Sequence, residues 1–139
     1  MSTLKKIVKL SGRGIHSGLT VNIIVRPSKK PGIFFKRIDI ENSAAIAAAY
    51  DNVGETKMRN TTIGDVNGAH VQTIEHLMAA LFMAGIDSAI IEIDGAETPI
   101  LDGSAAEFYS ALVNAGGDGV ISKKIIVRRP VIARAAELR

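Results

Sequence analysis

The 139-residue sequence has no cysteine and no tryptophan, aromatic residues make up only 4% of it, and it carries no apolar run long enough to span a bilayer. Without cysteine there is no disulfide framework, zinc ribbon or thiol nucleophile, and any metal has to be held by histidine and carboxylates. The plain reading of that composition is a cytoplasmic protein. The N-terminus has Lys5 and Lys6 but neither an apolar stretch behind them nor a small-residue cleavage site, which excludes a signal peptide and a membrane span. Gly12 and Gly14 do not belong to a GxGxxG or Walker pattern, so no nucleotide fingerprint is present. Basic residues do crowd the C-terminal stretch (Lys123, Lys124, Arg128, Arg129, Arg134, Arg139), although the net charge is only +3. Such a cluster suits nucleic acid, a membrane surface or a phosphorylated small molecule, but a strand edge guarded by charge is the plainer reading. Nucleic acid is the weakest option, because no aromatic residue interleaves with these charges to stack on bases.

What is present is aliphatic. Hydrophobic residues make up 47% of the chain, enough for one globular domain that hides roughly two thirds of its unfolded surface. Short β-branched runs at 7–10 and 21–25 flank the glycine-rich stretch 11–18, and 32–40 and 45–50 offer two further strands. Asn67-Gly68 predicts a two-residue type I′ turn joining strands at 61–66 and 69–74. Ile74, Leu77, Met78, Leu81 and Phe82 recur at helical spacing, with Thr73 placed as N-cap and Gly85 as the stop. A buried strand at 89–93 follows. Ser104 and Glu107 have the spacing of a capping box that opens a second helix, whose apolar face is Ala105, Phe108, Leu112 and Ala115 and whose stop is Gly116-Gly117. A last strand at 124–133 is interrupted by Pro130, which bars it from the centre of a sheet. Two helices among roughly six or seven strands predict a two-layer α/β sandwich of the α+β type, a mostly antiparallel sheet with both helices packed on one face.

Among the three histidines, His76 stands next to Glu75 in the first turn of the first helix. The positive end of a helix favours a carboxylate there and disfavours a charged imidazole, and a neutral imidazole is the form a metal needs. Helical neighbours point about 100° apart, so one ligand and one base is the natural division of labour: His76 on zinc, Glu75 taking a proton from the attacking water. A Glu–His pair in a first turn is also what an ordinary surface or packing site carries, and residue chemistry alone favours that reading. His16 sits in a glycine-rich turn at an open rim, suited to phosphate or sugar and equally to a plain loop. His70 reads as merely exposed, and Asp102 as a residue that orders the start of the second helix.

Four stretches in register carry a resemblance: SGRGIHSG at 11–18, TIEHLMAAL at 73–81, GID at 85–87 and ETPILDGSA at 97–105. Together they resemble the N-terminal half of the UDP-3-O-acyl-N-acetylglucosamine deacetylases, and the likeness covers nearly the whole chain. The resemblance implies a zinc-dependent hydrolase of Gram-negative lipid A synthesis that removes acetate from UDP-3-O-acyl-N-acetylglucosamine. It implies His76 as zinc ligand and Glu75 as general base, with His16, Asn60 and Thr62 near the substrate. It further implies two similar domains whose helix layers pack between the sheets, the second supplying the other zinc ligands, a His and an Asp, and a catalytic His. On this reading residues 1–122 form the first domain and 123–139 the crossover into a second that the sequence does not otherwise contain. The zinc site is then expected to be incomplete and the isolated chain inactive. A non-catalytic nucleotide-sugar-binding domain, or a homodimer formed through the exposed helix layer, is the alternative.

Overall fold

The structure, a computed structural model, describes residues 1–54, 59–65, 68–116 and 128–130. Five strands form the main sheet: β1 (Val8–Arg13), β2 (Thr20–Pro27), β3 (Gly32–Arg37), β4 (Ile46–Ala47) and, later in the chain, β7 (Ser88–Ile93). Their order is β1-β2-β7-β3-β4. Pairing is antiparallel between β1 and β2, β2 and β7, and β3 and β4, and parallel only between β3 and β7. A two-stranded sheet of β5 (Ile63–Gly64) and β6 (His70–Val71) lies beside it. Two helices, α1 (Glu75–Met83) and α2 (Ala106–Asn114), complete the fold.

Strand alternation decides which face is covered. In β2 the buried apolar residues are Val21, Ile23 and Val25, and in β7 they are Ala89, Ile91 and Ile93, every second position in each case, with Ser88 buried as well at the start of β7. The outward positions mix polar residues with the half-buried Ile24 and Ile90, and Arg26 Nε meets Glu92 Oε2 there at 2.8 Å across β2 and β7. The covered face forms one aliphatic cluster with Leu77, Ala80 and Leu81 of α1 and Phe108 and Leu112 of α2. The predicted two-layer arrangement is therefore the observed one, and the α2 face built on Phe108, Leu112 and Ala115 is the buried one.

Several local expectations are corrected. β1 continues through Ser11, Gly12 and Arg13 into the stretch expected to be a turn, with Gly12 paired to Val21. A Cβ on Gly12 would lie 3.0 Å from Leu101 Cδ2 and 3.1 Å from Pro99 Cβ, so the glycine serves a close approach within a strand. β3 ends at Arg37, whose guanidinium turns onto Asp39 at 2.8 and 2.6 Å, and the run expected at 45–50 contracts to Ile46–Ala47 before a 3₁₀ turn at Tyr50–Asn52. The strands expected at 61–66 and 69–74 are two residues long each, pairing Ile63 with Val71 and Gly64 with His70. A two-residue turn at 67–68 would pair 66 with 69, one position out of step with that register. Burial accounts for the difference, since a one-residue slip would turn either Ile63 or Val71, both buried, off the core. The turn residue Asn67 itself lies outside the described residues, as does most of the strand expected at 124–133.

Neither helix starts as the sequence signals suggest. Ile74 occupies the N-cap position of α1, while Thr73 takes φ +57° and donates its hydroxyl to Glu97 Oε1 at 3.1 Å instead of to its own helix. At α2 the Ser104 N–H is taken by Asp102 Oδ1 at 2.9 Å, and the Ser104 hydroxyl accepts from Ala106 N–H at 3.0 Å. The expected box with Glu107 does not form, because Asp102 reaches the amide first. The stop at Gly85 holds, at φ +69°.

Leu77 is 0% exposed and Phe82, on the same helix, 63% exposed. Leu77→Ala is expected to cost about 2–5 kcal/mol and Phe82→Ala less than about 0.5, read as the shift in urea midpoint at constant m.

Candidate functional site

The site grows from the first turn of α1. Glu75 is the first helical residue and His76 the second, and both are half-buried: neither is sealed in the core nor turned fully to solvent. Thr61 holds this tip from one side. Its N–H donates to Glu75 Oε2 at 3.1 Å and its carbonyl accepts Ile74 N–H at 3.4 Å. One carboxylate oxygen of Glu75 is thereby fixed by the strand segment that precedes the helix. An open, almost wholly apolar hollow of about 370 Å³ runs from Tyr50 and Val53 over Ile63 to Glu75 and Met78.

Asn60 and Thr62 stand on the same segment. Asn60 Nδ2 lies 3.4 Å from both Gln72 Oε1 and Thr73 Oγ1, and Asn60 Oδ1 accepts the Thr62 hydroxyl at 3.2 Å. Thr62 is only 2% exposed, so its hydroxyl serves Asn60. His70, expected to be merely exposed, has Nδ1 3.1 Å from the Gly68 carbonyl and Nε2 3.2 Å from Gln72 Nε2, extending the same polar chain.

Asp102 lies on the loop before α2 and is exposed. The Ser104 backbone N–H, then its hydroxyl, hold the Asp102 carboxyl below its ordinary value. Asp102 thus holds Ser104, two residues ahead of the first turn of α2.

The residue that the sequence reading passed over is Glu97. It is 2% exposed, and it accepts His16 N–H at 3.0 Å and the Thr73 hydroxyl at 3.1 Å on Oε1, and Ser17 N–H at 2.8 Å on Oε2. Burial alone would raise its pKa; the His16 and Ser17 amides with the Ser17 and Thr73 hydroxyls outweigh that and leave it lowered. His16, exposed at the tip of its turn, is fixed by its backbone in this way, and through Glu97 its loop is joined to the residue two places before Glu75. The available signal was the ETP run itself, an acid beside Thr98 and Pro99 in a loop between a buried strand and a helix.

As a metal site the described residues are partial. His76 offers one imidazole at a helix tip, but among the described residues no group of three or more His, Asp or Glu converges as a ligand set. A hydrolytic zinc takes three protein ligands, so the described residues fit one corner of such a site and do not complete it. No helix among the described residues is long and apolar enough to cross a membrane.

Fold and site together define an α/β domain that presents a carboxylate and an imidazole side by side at an open helix start. The sequence profile of the UDP-3-O-acyl N-acetylglycosamine deacetylase family matches residues 1–137, and the chain belongs to that family. It is 46% identical over 140 residues to the UDP-3-O-acyl-N-acetylglucosamine deacetylase of Geotalea uraniireducens (strain Rf4), an alignment covering 99% of this chain and 45% of the relative. The enzymes of the same name from Geobacter sp. (strain M21) and Shewanella loihica (strain ATCC BAA-1088 / PV-4) are 45% and 42% identical over 132 residues, covering 93% of this chain and 43% of each relative. The chain thus spans a little under half the length of the curated relatives it matches.

A carboxylate whose pKa is lowered on folding contributes stability that is complete above its ordinary value and is lost as pH falls through the folded value. The stability gap between the native chain and Glu97→Gln, expected at about 1–3 kcal/mol near neutrality, should therefore narrow as pH is lowered through and below the ordinary carboxylate range, as urea midpoints would show.

Proposed function

We propose that the chain forms the N-terminal domain of a zinc-dependent amidohydrolase that removes acetate from UDP-3-O-acyl-N-acetylglucosamine, in the cytoplasm, as a step of lipid A biosynthesis. The observation that carries this reading is the placement of Glu75 and His76 together at the open start of α1, with a Glu75 oxygen anchored by Thr61 N–H. Family membership and the names of the relatives support the substrate and the reaction.

In this scheme Glu75 takes a proton from the attacking water, whose oxygen adds to the acetyl carbon. The C–N bond then breaks, the amine nitrogen gains a proton and acetate leaves. His76 would hold zinc through a ring nitrogen, and zinc when bound would polarise the amide carbonyl and acidify water. Its remaining ligands would come from sequence beyond the part of the relatives that this chain matches. Asn60 meets the sugar, with Thr62 orienting it, and His16 contacts the substrate from its rim. Phe82, Met83, Tyr109 and Val113 leave the helix layer with exposed apolar surface, which in this reading packs against that further sequence. The same surface is what a homodimer of a non-catalytic domain would use, and that is the second reading.

Grafting residues 1–137 in place of the matching segment of the Geotalea relative, and measuring acetate release with zinc present, separates the two. A working graft whose Glu75→Gln variant loses about a hundred- to ten-thousand-fold in kcat, with the circular dichroism spectrum unchanged, supports the enzyme. A folded graft without turnover supports the non-catalytic domain.

Zinc titration gives an independent check. The chain alone is expected to show no stoichiometric, high-affinity zinc site. Tight one-to-one binding together with turnover would refute the proposed division of ligands.

A further inference from the structure

We infer that Glu97 is a positioning residue for the deacetylase site, a buried carboxylate that holds the His16 loop and the start of α1 at one fixed spacing. The inference rests on the reading above for its consequence, and on geometry for its mechanism. Glu97 is the one carboxylate among the described residues that is buried in the core, at 2% exposure. An ionised acid in such a place is costly unless every oxygen finds donors, and here the donors come from two segments remote in sequence, residues 16–17 and Thr73.

Both segments are shaped around it. At Gly14 a Cβ would stand 2.3 Å from Glu97 Oε2, so the loop backbone lies directly against the carboxylate and admits no side chain there. Thr73 is held at φ +57°, a conformation costly for a β-branched residue and sustained only by its surroundings. The hydroxyl of Thr73 is tied to Glu97 and its carbonyl accepts the Thr98 hydroxyl. Two residues later the chain reaches Glu75, so the angle at Thr73 sets where Glu75 and His76 emerge.

The surrounding backbone does not depend on the carboxylate. Gln72 N–H donates to Ala96 O at 2.8 Å, Thr98 N–H to Gln72 O at 3.0 Å and Ile100 N–H to Arg13 O at 2.8 Å. Removing the charge should therefore loosen the loop and the αL residue while these strands stay paired. A glutamine is nearly the same shape, but in either orientation its NH₂ faces a donor, Ser17 N–H or His16 N–H.

Two measurements on Glu97→Gln test this. Amide hydrogen exchange on the chain should show His16 and Ser17 losing protection while amides of β2 and β7 keep theirs. In the active graft, kcat should fall about ten- to a hundredfold with KM within about threefold, and Thr73→Gly in the Glu97→Gln background should restore part of the loss, since glycine holds a positive φ without help. A merely structural role predicts the opposite, a double variant worse than either single one. Unchanged protection at His16 and Ser17, or no recovery with Thr73→Gly, overturns the inference. If Glu97→Gln does not fold, Thr73→Val decides: it removes one donor and leaves the loop bonds, and an unchanged kcat would sink the proposal. If the graft carrying the native residues has no turnover, the deacetylase reading fails, and the exchange pattern still decides whether Glu97 holds the loop.

Discussion

A buried carboxylate imposes an obligation on everything near it, and in this chain that obligation organises the functional end of the fold. Glu97 needs donors because water is excluded, and donors within reach of a loop in that position are backbone amides and a hydroxyl. Satisfying it brings the 14–18 turn down onto the sheet end, demands glycine at 14, and turns the Thr73 hydroxyl away from the helix it would otherwise cap. The helix therefore opens one residue later than its N-cap signal suggests, with Glu75 itself in the first position. The capping energy forgone at Thr73, of the order of 1 kcal/mol, is offset by a hydrogen bond to a charge in a dry site, where such bonds are stronger.

The sheet supplies the platform for this arrangement through β7. β7 enters between β2 and β3, antiparallel to one and parallel to the other, and its inward residues Ala89, Ile91 and Ile93 are wholly buried. The N-terminus also depends on it, since Ser2 N–H donates to Asp87 Oδ1 at 2.7 Å and Ser2 O accepts both Asp87 and Ser88 amides. α1 and the turn at Gly85 lead into the start of this strand, and the Glu97 loop leaves its end. The helix tip and the carboxylate that shapes it are thus held at fixed places by the same central strand.

Element identity was legible in the sequence wherever burial and periodicity agree. Alternation at Val21, Ile23 and Val25, and the helical spacing of Leu77 and Leu81 or of Phe108 and Leu112, each describe the buried face directly, and those elements stand where expected. Local signals failed where another carboxylate, remote as Glu97 is from Thr73 or near as Asp102 is to Ser104, competes for the same group. Thr73 and Ser104 are good caps by residue type, but Glu97 outbids the first helix and Asp102 the second. Asn67-Gly68 marks a turn but not its register, which the core contacts of Ile63 and Val71 set. Gly12 reads as a loop residue because sequence alone does not show Pro99 and Leu101 pressing on a strand from 87 and more positions away. Of the site, Glu75 and His76 were visible as neighbours in a first turn, whereas Glu97 was not, because the obligation of a buried acid appears only once its burial is known.

The anchoring of Glu75 bears on how such a base would work. A glutamate at a helix start has three side-chain torsions and an open solvent side, and a base that wanders loses effective concentration against its substrate. Thr61 N–H fixes one oxygen at 3.1 Å, so that in the proposed reading the other would take the proton, while Thr61 O, by accepting Ile74 N–H, ties that same residue to the helix. Orientation is then set by backbone groups on two elements, with no second side chain required next to the base. On the same logic His76, which leaves the helix about 100° round from Glu75, is spared the task of holding it. The proposed division of roles, base for one neighbour and ligand for the other, would then follow from which of them the Thr61 backbone already holds.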